Sequence, residues 1–171
     1  MSTTTIPTQI IDFNIYNAPN KLIGAGDEVT LPKIVSKTYT AALAGGDIDL
    51  PGLTTENMEM EVPFNVFDKE AASTMSISKV NTLIIRRCQQ KADTKTHNLS
   101  YDGLKLTIRG FTKEVDLGTL KRSDKMDSKI TMTLTYIKIE DSSTVFLEID
   151  KFNGTFIVNG KDVREGINKY L

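Results

Sequence analysis

Few residues in this chain have the types and spacing for chemistry. His97 is the only histidine and Cys88 the only cysteine. A thiol nucleophile needs an imidazole within hydrogen-bond reach and a third group to orient it. Cys88 lies in RRCQQ and His97 in the polar run DTKTHNLSYDG, so a pairing across a hairpin is the one arrangement available, with no local nucleophile pattern behind it. One His and one Cys are too few for a soft-ligand metal site. Asp47, Asp49 and Glu56 are hard oxygen ligands, but their spacing is not that of a twelve-residue calcium loop. Gly24 with Gly26, and Gly45 with Gly46, lack the context that cradles phosphate. Glu59 and Glu61 point the same way along one strand, whereas glycosidase carboxylates face each other across a cleft. Arg86, Arg87, Lys91 and Lys95 form a basic run without aromatics to stack bases. The residues predict no enzyme and no cofactor.

The elements that carry these residues read as strands. In TTENMEMEVPFNVF (54–67), Met58, Met60, Val62 and Phe64 share one parity and Glu59 and Glu61 the other. That alternation marks a strand with one buried and one wet face. Ser128 to Glu140 is the most regular strand: Ile130, Met132, Leu134 and Tyr136 alternate with Lys129, Thr131, Thr133 and Thr135, and the parity flips at Ile137 and Ile139. In 104–117 the apolar parity changes at Gly110, which predicts a bulge or a sheet crossing there and leaves Thr112, Glu114 and Asp116 outward.

Further strands are predicted over 10–16, over 29–39 with Pro32 forcing a late start, a bulge or an edge, and over 81–94, where Leu83, Ile84 and Ile85 suggest burial on both sides. Asn153–Gly154 signals a hairpin within 145–158. Asp68 predicts the N-cap of one internal helix, 68–77, and Asp162 that of a short terminal helix carrying Val163, Ile167 and Leu171. Residues 1–9 read as a loose arm and 41–52 as a loop whose Leu43, Ile48 and Leu50 are odd for a solvated segment. The fold class is mostly β, a two-sheet sandwich or barrel with one internal helix and a short C-terminal one.

With 171 residues, 25% charged and 39% hydrophobic, the chain fits one folded domain with a real core. No apolar run is long enough for a membrane span, and no secretory signal is legible. Net charge is −1, but it is unevenly placed. From Thr38 to Phe67 there is no Lys or Arg, whereas 79–113 carries eight cations against Asp93 and Asp102. Separated signs on a near-neutral chain favour association with copies of itself, and long amphipathic strands with apolar loop tips point the same way.

An ordered set of motifs then resembles the major tail tube protein family of contractile-tailed phages, shared with R-type bacteriocins and related to type VI secretion tubes. The set runs TLPKI (30–34), GGDIDL (45–50), ENMEMEV (56–62), IRGFTKEVDLG (108–118), SKITMTLTYIKI (128–139) and FLEIDKFNGTFIVNGKDV (146–163). The stretch 68–103 carries little of the resemblance.

The resemblance implies that 1–171 is a single tail-tube domain. Its subunits would form hexameric rings stacked into a hollow tube inside a contractile sheath, with hairpins of neighbouring subunits closing an inner barrel. The implied partners are copies of itself, sheath subunits, and baseplate and tail-terminator proteins. The subunit itself would bind no membrane, and DNA would be non-specific cargo in a phage, with ions or an effector carried in other particles. Assembly is expected in the bacterial host cytoplasm, followed by residence in a virion tail or a released particle.

On this reading the inner hairpins are 29–39 with 54–66 and 104–117 with 128–139. Glu59, Glu61, Thr112, Glu114, Asp116, Thr131, Thr133 and Thr135 would face an acidic lumen. Met58, Met60, Val62, Phe64, Ile130, Met132 and Leu134 would form the wall core. Leu43, Asp47, Ile48, Asp49 and Leu50 would make a ring-stacking loop, and Lys121, Arg122 and Lys125 would meet a neighbouring subunit or the sheath. The alternative from another class is a monomeric β-sandwich that binds a small ligand.

Overall fold

The computed structural model describes residues 5–17, 20–21 and 26–170. In chain order the strands are β1 Thr5–Asn17, β2 Asn20–Lys21, β3 Ser36–Leu43, β4 Gly46–Thr55, β5 Met58–Phe64, β6 Val80–Asp93, β7 Leu99–Asp116, β8 Ser128–Glu140, β9 Val145–Asp150, β10 Thr155–Val158 and β11 Lys161–Asp162. The helices are α1 Lys69–Ser73, between β5 and β6, and α2 Glu165–Asn168, after β11. The main sheet runs β11-β10-β9-β8-β7-β6-β1-β2, with β5 also paired to β8, and β3 with β4 forms a second, two-stranded sheet. A mostly-β chain with two sheets and only short helices is the predicted class.

Strand β8 serves two neighbours on one edge. Residues 128–134 pair with β5 and 136–140 with β9. The change of partner coincides with two register shifts against β7, one between Arg109 and Gly110, the other between Thr112 and Glu114. The first leaves Thr135 of β8 as the extra residue, so Leu134 and Ile137 both face inward and the parity of β8 flips. Gly110 sits opposite this bulge, where an added Cβ would run into the Thr133 carbonyl and the Leu134 backbone. The second shift leaves Lys113 of β7 extra, and this is where β7 changes face.

Inward residues from both halves of β8 and from its neighbours form one buried cluster. It includes Ile15, Met58, Met60, Leu83, Ile108, Met132, Ile137 and Ile149. The main sheet therefore wraps about a common core. Helix α1 closes one side. The Asp68 carboxylate accepts the Ala71 N–H at 2.7 Å, as its N-cap position predicts. A buried polar cluster ties α1 to the sheet: Asn81 Nδ2 donates to the Thr74 carbonyl (2.8 Å) and to Thr112 Oγ1 (3.0 Å), and Thr112 Oγ1 donates to the same carbonyl (2.6 Å).

Several expectations are corrected. The stretch 5–9 of the supposed arm belongs to β1, paired with β6, and residues 1–4 lie outside the described residues. The segment 29–39 does not pair with 54–66 as a hairpin. Among the described residues their contact is limited to the Ser36–Thr55 pair at the open end of β3–β4, the Glu56 N–H donating to the Val35 carbonyl at 2.8 Å and an isolated Thr30–Glu61 bridge, and β3 starts late, at Ser36, past Pro32. The supposed loop 41–52 is instead the tip of the β3–β4 hairpin. Strand β6 alternates, burying Asn81, Leu83 and Ile85 on one face only. Asp162 caps no helix: it lies in β11, its carboxylate accepts the Arg164 N–H at 2.8 Å, and α2 has Arg164 at its N-cap position. Val163 and Ile167 are exposed, and Leu171 lies outside the described residues.

Candidate functional site

The outer face of β5–β8–β7 is built by register. Across β8, Thr133 stands between Glu59 and Phe111, Thr131 between Glu61 and Glu114, and Lys129 between Pro63 and Asp116. Glu59, Glu61, Glu114 and Asp116 are exposed, and Thr131 and Thr133 half-buried, on the side away from the core. Met58, Met60, Val62, Phe64, Ile130, Met132 and Leu134 occupy the opposite side and are fully buried.

This face is not carboxylate-only. Lys113, turned outward by its bulge, donates from Nζ to Glu59 Oε1 at 2.7 Å, and Asn57 Nδ2 donates to the same oxygen at 2.8 Å. Lys129 Nζ lies 3.3 Å from both carboxylate oxygens of Glu61. The Lys113 ammonium is held above its ordinary pKa by the hydrogen bond it donates to Glu59 and by the charge of that carboxylate. The face thus carries Glu59, Glu61, Glu114 and Asp116 against Lys113 and Lys129. Thr112 is a further correction: with the face change at Lys113 rather than Gly110, its side chain is 1% exposed and points into the core. Thr135 is half-buried in its bulge, its hydroxyl donating to the Arg109 carbonyl at 3.3 Å.

Beside this face lies a charged recess lined by Gly26, Asp27, Thr30, Glu61, Lys125 and Lys129, about 420 Å³ in volume. Lys125 Nζ donates to Asp27 Oδ2 at 2.5 Å, which holds the Asp27 carboxyl below its ordinary pKa. Lys121 lies 3.9 Å from Asp124, and Arg122 is exposed near the tip of the same 117–127 loop. Gly118 at φ 69° starts this loop, where the Thr119 N–H donates to the Met126 carbonyl at 2.9 Å.

The hairpin β3–β4 is a second candidate surface. Its register places Tyr39 against Leu50, Ala41 against Ile48 and Leu43 against Gly46 on one face. Thr40 against Asp49 and Ala42 against Asp47 make the other. Tyr39 is 72% and Leu43 60% exposed, and Ile48 and Leu50 are also exposed. An amphipathic two-stranded ribbon is marginal alone in water, so its apolar face calls for a cover.

The thiol–imidazole pairing does not form. Cys88 sits opposite Gly103 in mid-strand, His97 in the β6–β7 turn beyond the last pair, Ala92 with Leu99. Four residues of strand separate Cys88 from Ala92, ~13 Å at the usual rise. Among the described residues, no group of three or more His, Cys, Asp or Glu is placed to hold a metal ion.

A mostly-β subunit that wraps one core, projects an uncovered hairpin and bears a charged sheet face is an assembly protein in form. The comparisons with known proteins make that specific. The family Phage tail tube protein FII matches residues 7–171, and the chain belongs to it. The tail tube protein of Escherichia phage P2 is 28% identical over 164 residues, covering 92% of both chains. Among solved structures, a chain of the PVC sheath/tube terminator, from an extracellular contractile injection system in the extended state, superposes with a TM-score of 0.57 at 14% identity. It covers 79% of this chain and 97% of that one. A chain of the PVC sheath–tube complex gives a TM-score of 0.52 at 11% identity, covering 75% and 88%. The protein is a structural tail tube protein, not an enzyme.

Proposed function

We propose that the chain acts as a single tail-tube domain that assembles into hexameric rings, and that these stack into a hollow tube with the β5–β8–β7 outer face around the bore. The observation that carries this reading is the strict division of that sheet, with Met58, Met60, Val62 and Phe64 in the core and Glu59, Glu61, Thr131 and Thr133 outside. Carboxylates and small hydroxyls hydrate well and repel phosphate, which suits a wall that must let cargo slide. Four carboxylates against two ammonium groups leave the wall net negative, with Glu59 and Glu61 moderated by their lysine partners. Glu114, Asp116 and Thr135 flank the same band, and Thr112 has no part in it.

The apolar hairpin tip, with Leu43, Asp47, Ile48, Asp49 and Leu50, stacks one ring on the next. Lys121, Arg122 and Lys125 face a neighbouring subunit or the sheath. Sheath and terminator contacts are supported by the company the structural neighbours keep, a sheath–tube complex and a sheath/tube terminator. Baseplate contact at the opposite end completes the partner set. The cargo is DNA in a phage tail, and ions or an effector in a released particle; assembly takes place in the bacterial host cytoplasm.

Negative-stain imaging of the concentrated purified protein tests this directly. Hollow rods with six-fold end views are expected. Particles that remain monomeric at every concentration would contradict the reading and favour the small-ligand module.

A further inference from the structure

At the root of the β3–β4 hairpin the chain gathers cations without counter-charges. A hollow of about 260 Å³ lies between the end of β4 and the β9–β10 turn. Thr54 and Thr55 line it on the hairpin side, and Lys151, Thr155 and Arg164 on the other, over apolar Ile149 and Phe156. Lys151 Nζ donates to the Glu56 carbonyl at 2.5 Å and, among the described contacts, meets no carboxylate. Burial, then the Lys37 ammonium, hold Lys151 below its ordinary pKa, and no negative charge offsets them. Arg164 donates from Nη1 to the Gly154 carbonyl at 2.7 Å, while its Nε is buried without a partner. Gly154, at φ 65°, leaves room for this guanidinium, since a Cβ there would stand 2.5 Å from Nη1. The three threonine hydroxyls make no hydrogen bond among the described contacts. The one carboxylate in the described lining, Asp150, is already taken by its turn. Its Oδ1 accepts the Phe152 and Asn153 N–H groups, both at 3.0 Å, and its Oδ2 accepts Asn153 Nδ2 at 2.7 Å. Asp162 stands outside the lining, on the backbone N–H of Arg164.

We propose that this hollow binds a small free oxyanion of the phosphate or sulfate type, held by Lys151 and Arg164 with the threonine hydroxyls completing its shell. Bonds from a guanidinium and an ammonium to an oxyanion are charge-assisted, and an apolar floor strengthens them by excluding water. The ion also cancels the repulsion between Lys37 and Lys151. Its two walls come from distant parts of the chain, the end of β4 and the segment from β9 to α2. Once bound, it staples the root of the hairpin to the C-terminal strands and sets how firmly the hairpin is held to the body. Binding needs only a single subunit, so it does not depend on the tube reading.

The test replaces chloride by inorganic phosphate at constant ionic strength while thermal unfolding of the purified protein is followed, with titration calorimetry giving the affinity. A saturable rise in the midpoint is expected, with sulfate acting alike, together with slower amide exchange over residues 53–56. Lys151→Gln and Arg164→Gln should each weaken phosphate binding by about tenfold or more. Lys121→Gln, at an exposed cation elsewhere, should leave it unchanged. Thr54→Glu places a carboxylate at the hollow and should abolish phosphate binding while slowing exchange over 53–56 in chloride alone. Thr54 is exposed, so this variant keeps its fold and carries the test if Arg164→Gln unfolds. A midpoint that rises without saturating, or equally in wild type and in the Lys151 and Arg164 variants, is the general effect of excluded salts and overturns the proposal. Undiminished phosphate binding by Thr54→Glu overturns it as well.

Discussion

Thr112 shows how much rests on one residue of register. Alternation after Gly110 places it outward, yet one extra residue at Lys113 turns it into a buried bond with Thr74 and Asn81. Thr112→Val leaves a buried amide donor and a carbonyl short of a partner, and should destabilise the subunit by about 1–3 kcal/mol in urea unfolding. A bore-facing threonine would make the same change nearly neutral. Glu140 gives a pH prediction. Lys138 first, then Lys105, hold its carboxyl below the ordinary value. Its stabilising contribution is complete above the unfolded pKa near 4.5 and disappears as pH falls through the lower folded value. Glu140→Gln should therefore lower the thermal midpoint at pH 7 and shrink the difference from wild type at pH 3. Tyr136 is pushed up to about 12 by burial and by the Glu148 carboxylate that accepts its hydroxyl at 2.9 Å. Its unfolded form ionises first, so stability declines from pH 10 towards 12. Ultraviolet titration should show one late tyrosine step that Tyr136→Phe removes.

At the scale of elements, the strands were legible wherever apolar and polar residues alternate cleanly. Met58 to Phe64 and Ile130 to Leu134 announce their buried face because nothing interrupts the period of two. The flip at Ile137 was legible for the same reason. Its cause, a bulge at Thr135 opposite Gly110, is a property of two strands together and is not written in either. Gly110→Ala should destabilise by about 1–3 kcal/mol or more, because its new methyl has only the β8 backbone to displace. The hairpin β3–β4 was hidden by its glycines and by Pro51, which read as loop. Its apolar tips, anomalous for a loop, were the signal that it is a ribbon awaiting a cover. Leu43→Asp and Ile48→Asp should leave subunit stability within about 0.5 kcal/mol of wild type, as expected for exposed sites, and abolish tubes. The ion pairs of Glu59 and Glu61 could not be read in advance, since Lys113 and Lys129 reach them only through pairing fixed by β8.

For the whole molecule, opposite charge on separate segments becomes a division of labour. In the proposed tube the acidic run supplies Glu59 and Glu61 of the bore face and the tip of the hairpin, and the basic run forms β6 and most of β7. The central claim is that Glu59 and Glu61 look into the bore while Met58 and Met60 lie inside the wall. Cryo-electron microscopy of the assembled tube at side-chain resolution tests it most directly. The account predicts a six-fold bore ringed by Glu59, Glu61, Thr131 and Thr133 with Lys113 and Lys129 between them. A reconstruction with this face against the sheath, or with Met58 and Met60 turned to the lumen, would contradict it.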